Sequence, residues 1–331
     1  LSTASDSNEV EAFISEIVNL KKTRVVEENP QDFSTYGFNS ASLKIHFKLE
    51  NNTEETLLIG DESPMGGNLY FKRKNHTQIM MAAISRSSLD KSVDSFRDRT
   101  LLTFNTASIK RIKIVRENNP LELTKKSESW KVSGDSGIRG DKDAVMSFLR
   151  SVQFSRVLKF VEENPKSLQT YGLNPPELKL ILEDDEGKTH ALDIGSPDGE
   201  KGYFGKIKGS ENIVLVNTKL FQTLSQKTVA FLEKKLIEFD EKEILEMSIK
   251  SENETIRMIR RGNEKWSIES PEKTSADLST INSLIFDLKE ARVTEFVKIS
   301  MDIPKTFGLD IPGKSFALKM TDGKSWTLQL G

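Results

Sequence analysis

The segment VEENPQDFSTYGFNSASLK, Val26 to Lys44, returns 135 residues later as VEENPKSLQTYGLNPPELK, Val161 to Lys179. Extended without a gap to Gly60 and Gly195, the two stretches share 14 identities in 35 positions, where chance at ordinary composition gives about two. A chain that repeats itself folds into copies of one unit, because equivalent apolar positions specify equivalent cores. A third copy begins at an offset of 136, RVTEFVKISMDIPKTFGLD (Arg292 to Asp310) matching RVLKFVEENPKSLQTYGLN (Arg156 to Asn174). The distal parts repeat as well. FRDRTLLTFNTASI (Phe96 to Ile109) pairs with FLEKKLIEFDEKEI (Phe231 to Ile244), and Trp130 with Trp266. The third copy reaches Gly331, the equivalent of Gly60 and Gly195, so the pattern predicts that the repeat continues past it. The expected division is a linker over 1–5, repeat units over 6–140 and 141–276, and a partial third unit over 277–331.

Each copy opens on a helical stripe. Val10, Phe13, Ile14, Ile17 and Val18 recur at i, i+3, i+4, i+7 and i+8, as do Val145, Phe148, Leu149 and Val152, and Ile281, Leu284, Ile285 and Leu288. Asp6, Asp141 and Asp277 precede these stripes at equal distances, where a carboxylate accepts the free N–H groups of the first turn. The small, polar residues before the first stripe read as a linker or frayed end. After each helix come a strand (RVLKFV), a proline turn and an aromatic–glycine corner at Tyr36-Gly37, Tyr171-Gly172 and Phe307-Gly308. Alternating runs follow. LKLIL and HALDIG flank the turn EDDEGK, and GYFGKI and NIVLV flank KGSE. A second helix is expected around Thr218 to Lys234, before the strands ILEMSIK, TIRMIRR and KWSIES. Connections this short join antiparallel neighbours. The predicted fold is α+β: tandem repeats of antiparallel β-sheet units, built from meanders and hairpins, each covered by about two helices.

One stretch imitates a nucleotide site. GLDIPGKS, Gly308 to Ser315, fits G-x-x-x-x-G-K-[ST]. A phosphate loop needs a strand before it and a helix after it, so that backbone N–H groups converge on the phosphates. Here the following residues, FALKM, alternate like a strand. The equivalent stretches GFNSASLK and GLNPPELK carry neither the second glycine nor the Gly-Lys-Ser triplet, and the match reads as accidental. GDSGIRGDKDAV, Gly134 to Val145, stands better placed before a helix, but its spacing fits neither nucleotide fingerprint and it serves as a connector. His46, His76 and His190 lack a second ligand at helical spacing, and no metal site is predicted. Asp184, Asp185 and Glu186 lack the alternation and the distal Glu of a calcium loop, and read as a solvated hairpin tip. No G-x-S-x-G turn supports a hydrolase triad. Asn51, Asn75 and Asn253 begin N-x-T triplets, which matter only in a secreted eukaryotic chain. Tyr36, Tyr171 and Phe307 remain as residues of interest, either as structural corners or as an aromatic platform for a sugar or peptide. No catalytic residue and no cofactor is predicted.

Composition narrows the partners. Forty-eight basic and fifty acidic side chains leave a net charge of −2, without the basic footprint of a nucleic-acid binder. The sequence contains no cysteine, which removes disulfides and thiolate metal sites and leaves the compartment open. No apolar run approaches the roughly 20 residues that span a bilayer.

The recurring pattern TYGLNPPELKLIL, GKTHALDIGSP, GYFGKIKGSENIVLV resembles the bacterial DUF4340 family, a domain of unknown function. Tyr171-Gly172-Leu173, Pro176 to Leu182, Ile194-Gly195, Tyr203-Phe204 and the NIVLV strand carry the match, which extends over nearly the whole chain. The resemblance implies an N-terminal membrane anchor, an extracytoplasmic repeat region and an auxiliary role beside ABC-type transport systems of the gliding-motility type. It implies no catalytic residues. The expected function is a non-catalytic, membrane-tethered interaction scaffold on the periplasmic or cell-surface side, with a membrane or envelope protein such as an ABC-type permease as partner, and no nucleic acid or nucleotide. The alternatives are a ligand-binding module for glycan or peptide and, third, an enzyme of unknown type. A deep pocket lined by several aromatics would favour the ligand module; flat sheet faces would favour the scaffold.

Overall fold

The computed structural model describes residues 4–39, 43–133, 138–199, 201–262, 265–297 and 303–331. Its first copy begins with α1 (Ser7–Val18), β1 (Lys22–Glu27), β2 (Leu43–Lys48), β3 (Glu54–Glu62), β4 (Leu69–Arg73), β5 (Ile79–Ala82) and the single turn α2 (Arg86–Leu89). A meander follows: β6 (Ile109–Arg116), β7 (Leu121–Lys126), β8 (Ser129–Val132) and β9 (Arg139–Gly140). The second copy runs α3 (Lys142–Gln153), β10 (Val157–Glu163), β11 (Leu178–Asp184), β12 (Thr189–Pro197), β13 (Tyr203–Ile207), β14 (Asn212–Val216) and α4 (Thr218–Leu224). Its meander is β15 (Ile244–Ser251), β16 (Thr255–Arg260), β17 (Trp266–Ser270) and β18 (Thr274–Ser275). The third copy supplies α5 (Leu278–Glu290), α6 (Ile303–Thr306), β19 (Lys314–Met320) and β20 (Ser325–Leu330). The fold is α+β with antiparallel sheets.

The duplication is visible residue by residue. All three stripes start on the expected aspartate caps. Asp6 accepts from the N–H of Asn8 at 3.0 Å, Asp141 from Asp143 and Ala144 at 2.9 Å, and Asp277 from Thr280 at 2.8 Å. The capping residue's own N–H is fixed in the same way twice, Asp6 to the Phe96 carbonyl and Asp141 to the Phe231 carbonyl, both at 2.8 Å. Each of those phenylalanines meets the helix stripe edge to face, Phe96 on Phe13 and Phe231 on Phe148, with centroids 5.2 and 5.4 Å apart. Trp130 and Trp266 are both buried on the third strand of their meanders. An Asp141→Ala variant is expected to lose about 1 kcal/mol of stability, read as a lower denaturation midpoint; an unchanged midpoint would contradict the capping role.

The chain divides into two compact units, each assembled from separated segments. One joins Leu1–Asn105, Arg150–Leu180 and His190–Leu224; the other joins Thr106–Leu149, Ile181–Thr189 and Ser225–Gly331. In the first unit β1-β5-β4-β3-β2 form a five-stranded sheet, and the second copy repeats this order as β10-β14-β13-β12-β11. Strand β11 begins in the first unit and ends in the second. There its far part lies beside β6, from which β7, β8 and β9 follow in order. The third copy repeats that junction, with β19 beside β15 and β16, β17 and β18 beyond it. A sheet therefore joins the meander of one copy to the hairpins of the next. In the first unit α1 packs Phe13 and Ile17 against Ile45, Ile59, Leu69 and Phe71. In the second, α5 buries Ile281, Ile285 and Leu288 with Met247, Trp266 and Leu318.

Several expectations change. The helix expected over Thr218 to Lys234 ends at Leu224 and gives way to a 3-10 turn, Thr228–Phe231. The carbonyl of Gln226, which a continuing helix would use internally, instead accepts from Arg116 Nη2 at 2.7 Å. The α1 stripe is less covered than its equivalents: Ile14 is 49% exposed, against 0% for Leu149 and 5% for Ile285. Leu149 and Ile285 belong to helices that follow the meanders β6–β9 and β15–β18. The polar start is tied down from Ala4 onward, since the Ala4 carbonyl accepts from Asp98 N–H at 3.0 Å; residues 1–3 lie outside the described residues, as do 134–137 of the glycine-rich connector and 298–302 of the third copy.

Candidate functional site

The aromatic–glycine corners are built alike. In the first, the hydroxyl of Tyr36 donates to Glu27 Oε2 at 2.8 Å, and the ring meets Tyr70 edge to face at 5.0 Å. In the second, Tyr171 donates to Glu162 and meets Phe204 at 5.0 Å. Both phenol pKa values are pushed up, first by the hydrogen bond to the carboxylate and then by desolvation. Gly37, Gly172 and Gly308 follow with φ of 78°, 64° and 70°, the left-handed region in which only glycine is unstrained. The strand-end glycine then closes the corner. A Cβ on Gly60, Gly195 or Gly331 would fall far inside contact distance of the carbonyl oxygen of Tyr36, Tyr171 or Phe307. Tyr36 and Tyr171 are thus half-buried structural groups with occupied hydroxyls. Phe307 has no hydroxyl and is 49% exposed. The ring contacts of Tyr36 and Tyr171 lie within their own copies, with Tyr70 and Phe204.

The phosphate-loop imitation is placed by the fold. Lys314 opens β19, facing Leu330 on β20 and Ser251 on β15. A strand follows the motif where a nucleotide site requires a helix start. A ligand at 100 times its Kd stabilises a protein by about 2.7 kcal/mol. Millimolar ATP with magnesium is therefore expected to leave the melting temperature unmoved, in the parent and in Lys314→Ala alike. A rise that Lys314→Ala abolishes would contradict this.

The remaining polar candidates serve the backbone or each other. Asp184 Oδ1 accepts from the N–H groups of Glu186 and Lys188, at 3.1 and 2.8 Å, and so shapes the hairpin tip. His46 Nδ1 lies 3.0 Å from Thr56 Oγ1. His190 packs its ring against Phe104, and the His76 N–H closes a turn onto the Arg73 carbonyl. Glu28 and Asn29, shared between copies, hold Gln78 and Thr77. Among the described residues, the carboxylates with displaced pKa values, Asp32, Glu246, Glu269, Asp277 and Asp322, are all displaced downward, led in each case by a side-chain hydrogen bond. Such acids are held ionised, the opposite of what a general acid at neutral pH requires.

Three grooves stand out among the described residues. A groove of about 280 Å³ in the first copy is lined by Lys44, Thr56, Leu58 and Lys74 beside Phe38. Its counterpart in the second copy, about 370 Å³, is lined by Lys179, Ala191, Asp193 and Lys208 at the matching places. The frame is shared and the chemistry differs: Lys179 pairs with Asp193 at 3.3 Å, where the first copy has Lys44 and Leu58. A third groove, about 610 Å³, combines Phe239 and Trp326 with Arg139, Glu238, Asp322 and Lys324. Two ion pairs lie within it, Arg139 to Glu238 at 3.1 Å and Lys324 to Asp322 at 2.7 Å, and Asp240 and Glu243 add two further carboxylates.

These corners, grooves and sheets define a tandem-repeat α+β protein. The family described as Domain of unknown function (DUF4340) matches residues 2–158 and 130–312, and the chain belongs to it. The two matches overlap across β8, β9 and α3, the segment that links one copy to the next. No curated protein and no solved structure matches the chain. No helix among the described residues is long and apolar enough to cross a membrane.

The shift in the β4 and β13 equivalence escapes the sequence. Both strands contain Tyr-Phe, yet the corner partner is the first of the pair in one copy, Tyr70, and the second in the other, Phe204. The pleat sends alternate residues to opposite faces, so only the register decides which ring reaches the corner.

Proposed function

We propose that this protein is a non-catalytic interaction scaffold, tethered to a membrane on the extracytoplasmic side, which serves as an auxiliary component of an ABC-type transport system. The observation that carries the scaffold reading is the pair of equivalent sheet-face grooves, one frame presenting Lys44, Thr56 and Leu58 in one copy and Lys179, Ala191 and Asp193 in the next. Tandem units on a common frame extend a surface and let each unit meet a different partner. The membrane and transport parts rest on the resemblance of the repeat pattern to proteins with that role. The full-length protein is expected to co-purify from membranes with a permease or another envelope protein. A soluble full-length product that turns over a small substrate, and loses that activity on one carboxylate or histidine change, would contradict the scaffold.

A second reading, a module for glycan or peptide, has one observation in its favour. Phe239 and Trp326 line the largest of the three grooves, and aromatic faces beside charged groups suit such ligands. Saturable binding of a glycan that Trp326→Ala abolishes would favour this module over the scaffold.

A further inference from the structure

The equivalent grooves of the first and second copies differ in one row of side chains across the sheet. In the second copy, Asp193 on β12 faces Lys206 on β13 and pairs with Lys179 on β11 at 3.3 Å. One repeat earlier, the same row reads Lys44 on β2, Leu58 on β3 and Lys72 on β4. The second copy thus sets a carboxylate between two ammonium groups. The first copy keeps both ammonium groups and places an apolar side chain where the carboxylate stands.

The neighbouring row carries a third lysine in each copy. The Lys74 N–H donates to the Thr56 carbonyl at 2.9 Å, and the Lys208 N–H to the Ala191 carbonyl at 3.0 Å. The ammonium of Lys206 is engaged, donating to the Ser210 carbonyl at 2.8 Å with Glu211 at 4.0 Å. Lys72 lies over the Phe33 ring, 4.1 Å from its centroid. Lys44 and Lys74 are exposed and have no ion-pair partner among the described residues, and no carboxylate among those residues lines their groove. Asp61 sets its side chain against Gly37 at the corner end and pairs with neither lysine. The second copy, with copies before and after it in the chain, keeps its groove of about 370 Å³ open. A groove at this place therefore belongs to the repeat itself.

We propose that the first-copy groove receives an aspartate or glutamate side chain of a partner polypeptide, its carboxylate between Lys44 and Lys74 and an apolar neighbour against Leu58 and Phe38. Asp193 shows what the frame accepts: the second copy supplies from its own β12 the carboxylate that the first copy takes from outside. The groove holds about 280 Å³, below the range of roughly 300–1,000 Å³ for drug-sized ligands, and suits one or two side chains of a longer chain. The lysines supply charge complementarity and selectivity, and the Leu58 floor supplies the apolar contact. The inference deepens the interaction-scaffold reading and rests on it for a polypeptide occupant; it needs neither the membrane nor the transport system.

The probe is the blocked pentapeptide acetyl-Gly-Leu-Asp-Leu-Gly-amide, titrated into the 331-residue chain and followed by backbone amide chemical shifts. It is expected to move the amides of Thr56, Leu58 and Lys74. Lys44→Gln and Lys74→Gln should each weaken it about two- to fivefold, the effect of one exposed ion pair, and a peptide with asparagine for aspartate should bind about tenfold more weakly. Leu58→Asp, which gives the first copy the row of the second, should abolish binding. Asp193→Leu should open a second site that moves the amides of Ala191 and Lys208. Absence of binding, equal binding of the aspartate and asparagine peptides, or binding indifferent to Leu58→Asp and to both lysine changes overturns the proposal. Displacement of the peptide by an equal concentration of sodium acetate overturns it in favour of a small anion. Sedimentation with phosphatidylglycerol vesicles that Lys44→Gln and Lys74→Gln abolish, without peptide binding, overturns it in favour of a lipid surface. Each of these failures leaves co-purification with a membrane protein, the test of the scaffold itself, to be judged separately.

Discussion

Trp130→Ala and Trp266→Ala are each expected to cost about 3–5 kcal/mol, the range for removing a large buried aromatic side chain. Trp130 is 2% and Trp266 5% exposed, and both belong to the second compact unit. Trp130 sits on β8, paired with β7 and β9, and Trp266 on β17, paired with β16 and β18. Trp266 also lies under the Arg260 guanidinium, 5.2 Å from its ring, which adds a cation–π contribution that Trp130→Ala does not test. Denaturant titration followed by far-ultraviolet circular dichroism measures both. A loss below about 1 kcal/mol at either position would mean that the two tryptophans do not anchor equivalent cores.

Gly195→Ala is expected to destabilise the first unit by about 3 kcal/mol or more, the upper end of what overpacking costs. The added methyl would meet the Tyr171 carbonyl and the Gly172 backbone, neither of which can rotate away as a side chain could. Gly60→Ala should do the same against the Tyr36 carbonyl. Gly205→Ala is the control: it lies one strand away on β13, where a Cβ finds its nearest atom at an ordinary 3.4 Å. Melting curves of the three variants decide the matter. If Gly195→Ala melts with Gly205→Ala, the corner is looser than its geometry states.

Much of this was legible in the sequence. The aspartate caps, the helix stripes and the paired tryptophans use the same residue types at the same spacing in successive copies, so each copy vouches for the others. The tyrosine corners could be located for the same reason. Their hydrogen-bond partners could not, because Glu27 and Glu162 approach the tyrosines only once β1 and β10 are folded back along the corner. A sequence period also carries no mark of where a structural unit begins. Counting from the helix gives units over 6–140 and 141–276, whereas β6 pairs with β11 and β15 with β19, joining each meander to the hairpins of the following copy. The cross-strand charge pairs Arg111–Glu183 and Glu246–Lys319, with signs exchanged, become visible only after those partners are known. Propensity also overran the helix that starts at Thr218: it ends at Leu224, and the Gln226 carbonyl beyond it accepts from Arg116.

Hydrogen exchange at the amides of β2 tests most directly whether the first copy offers an open edge where the second and third are filled. In the isolated 331-residue chain, the β2 amides that point away from β3 should exchange much faster than the equivalent amides of β11 and β19, which lie between two strands. Equal protection at all three strands would contradict the strand order in which β2 ends its sheet.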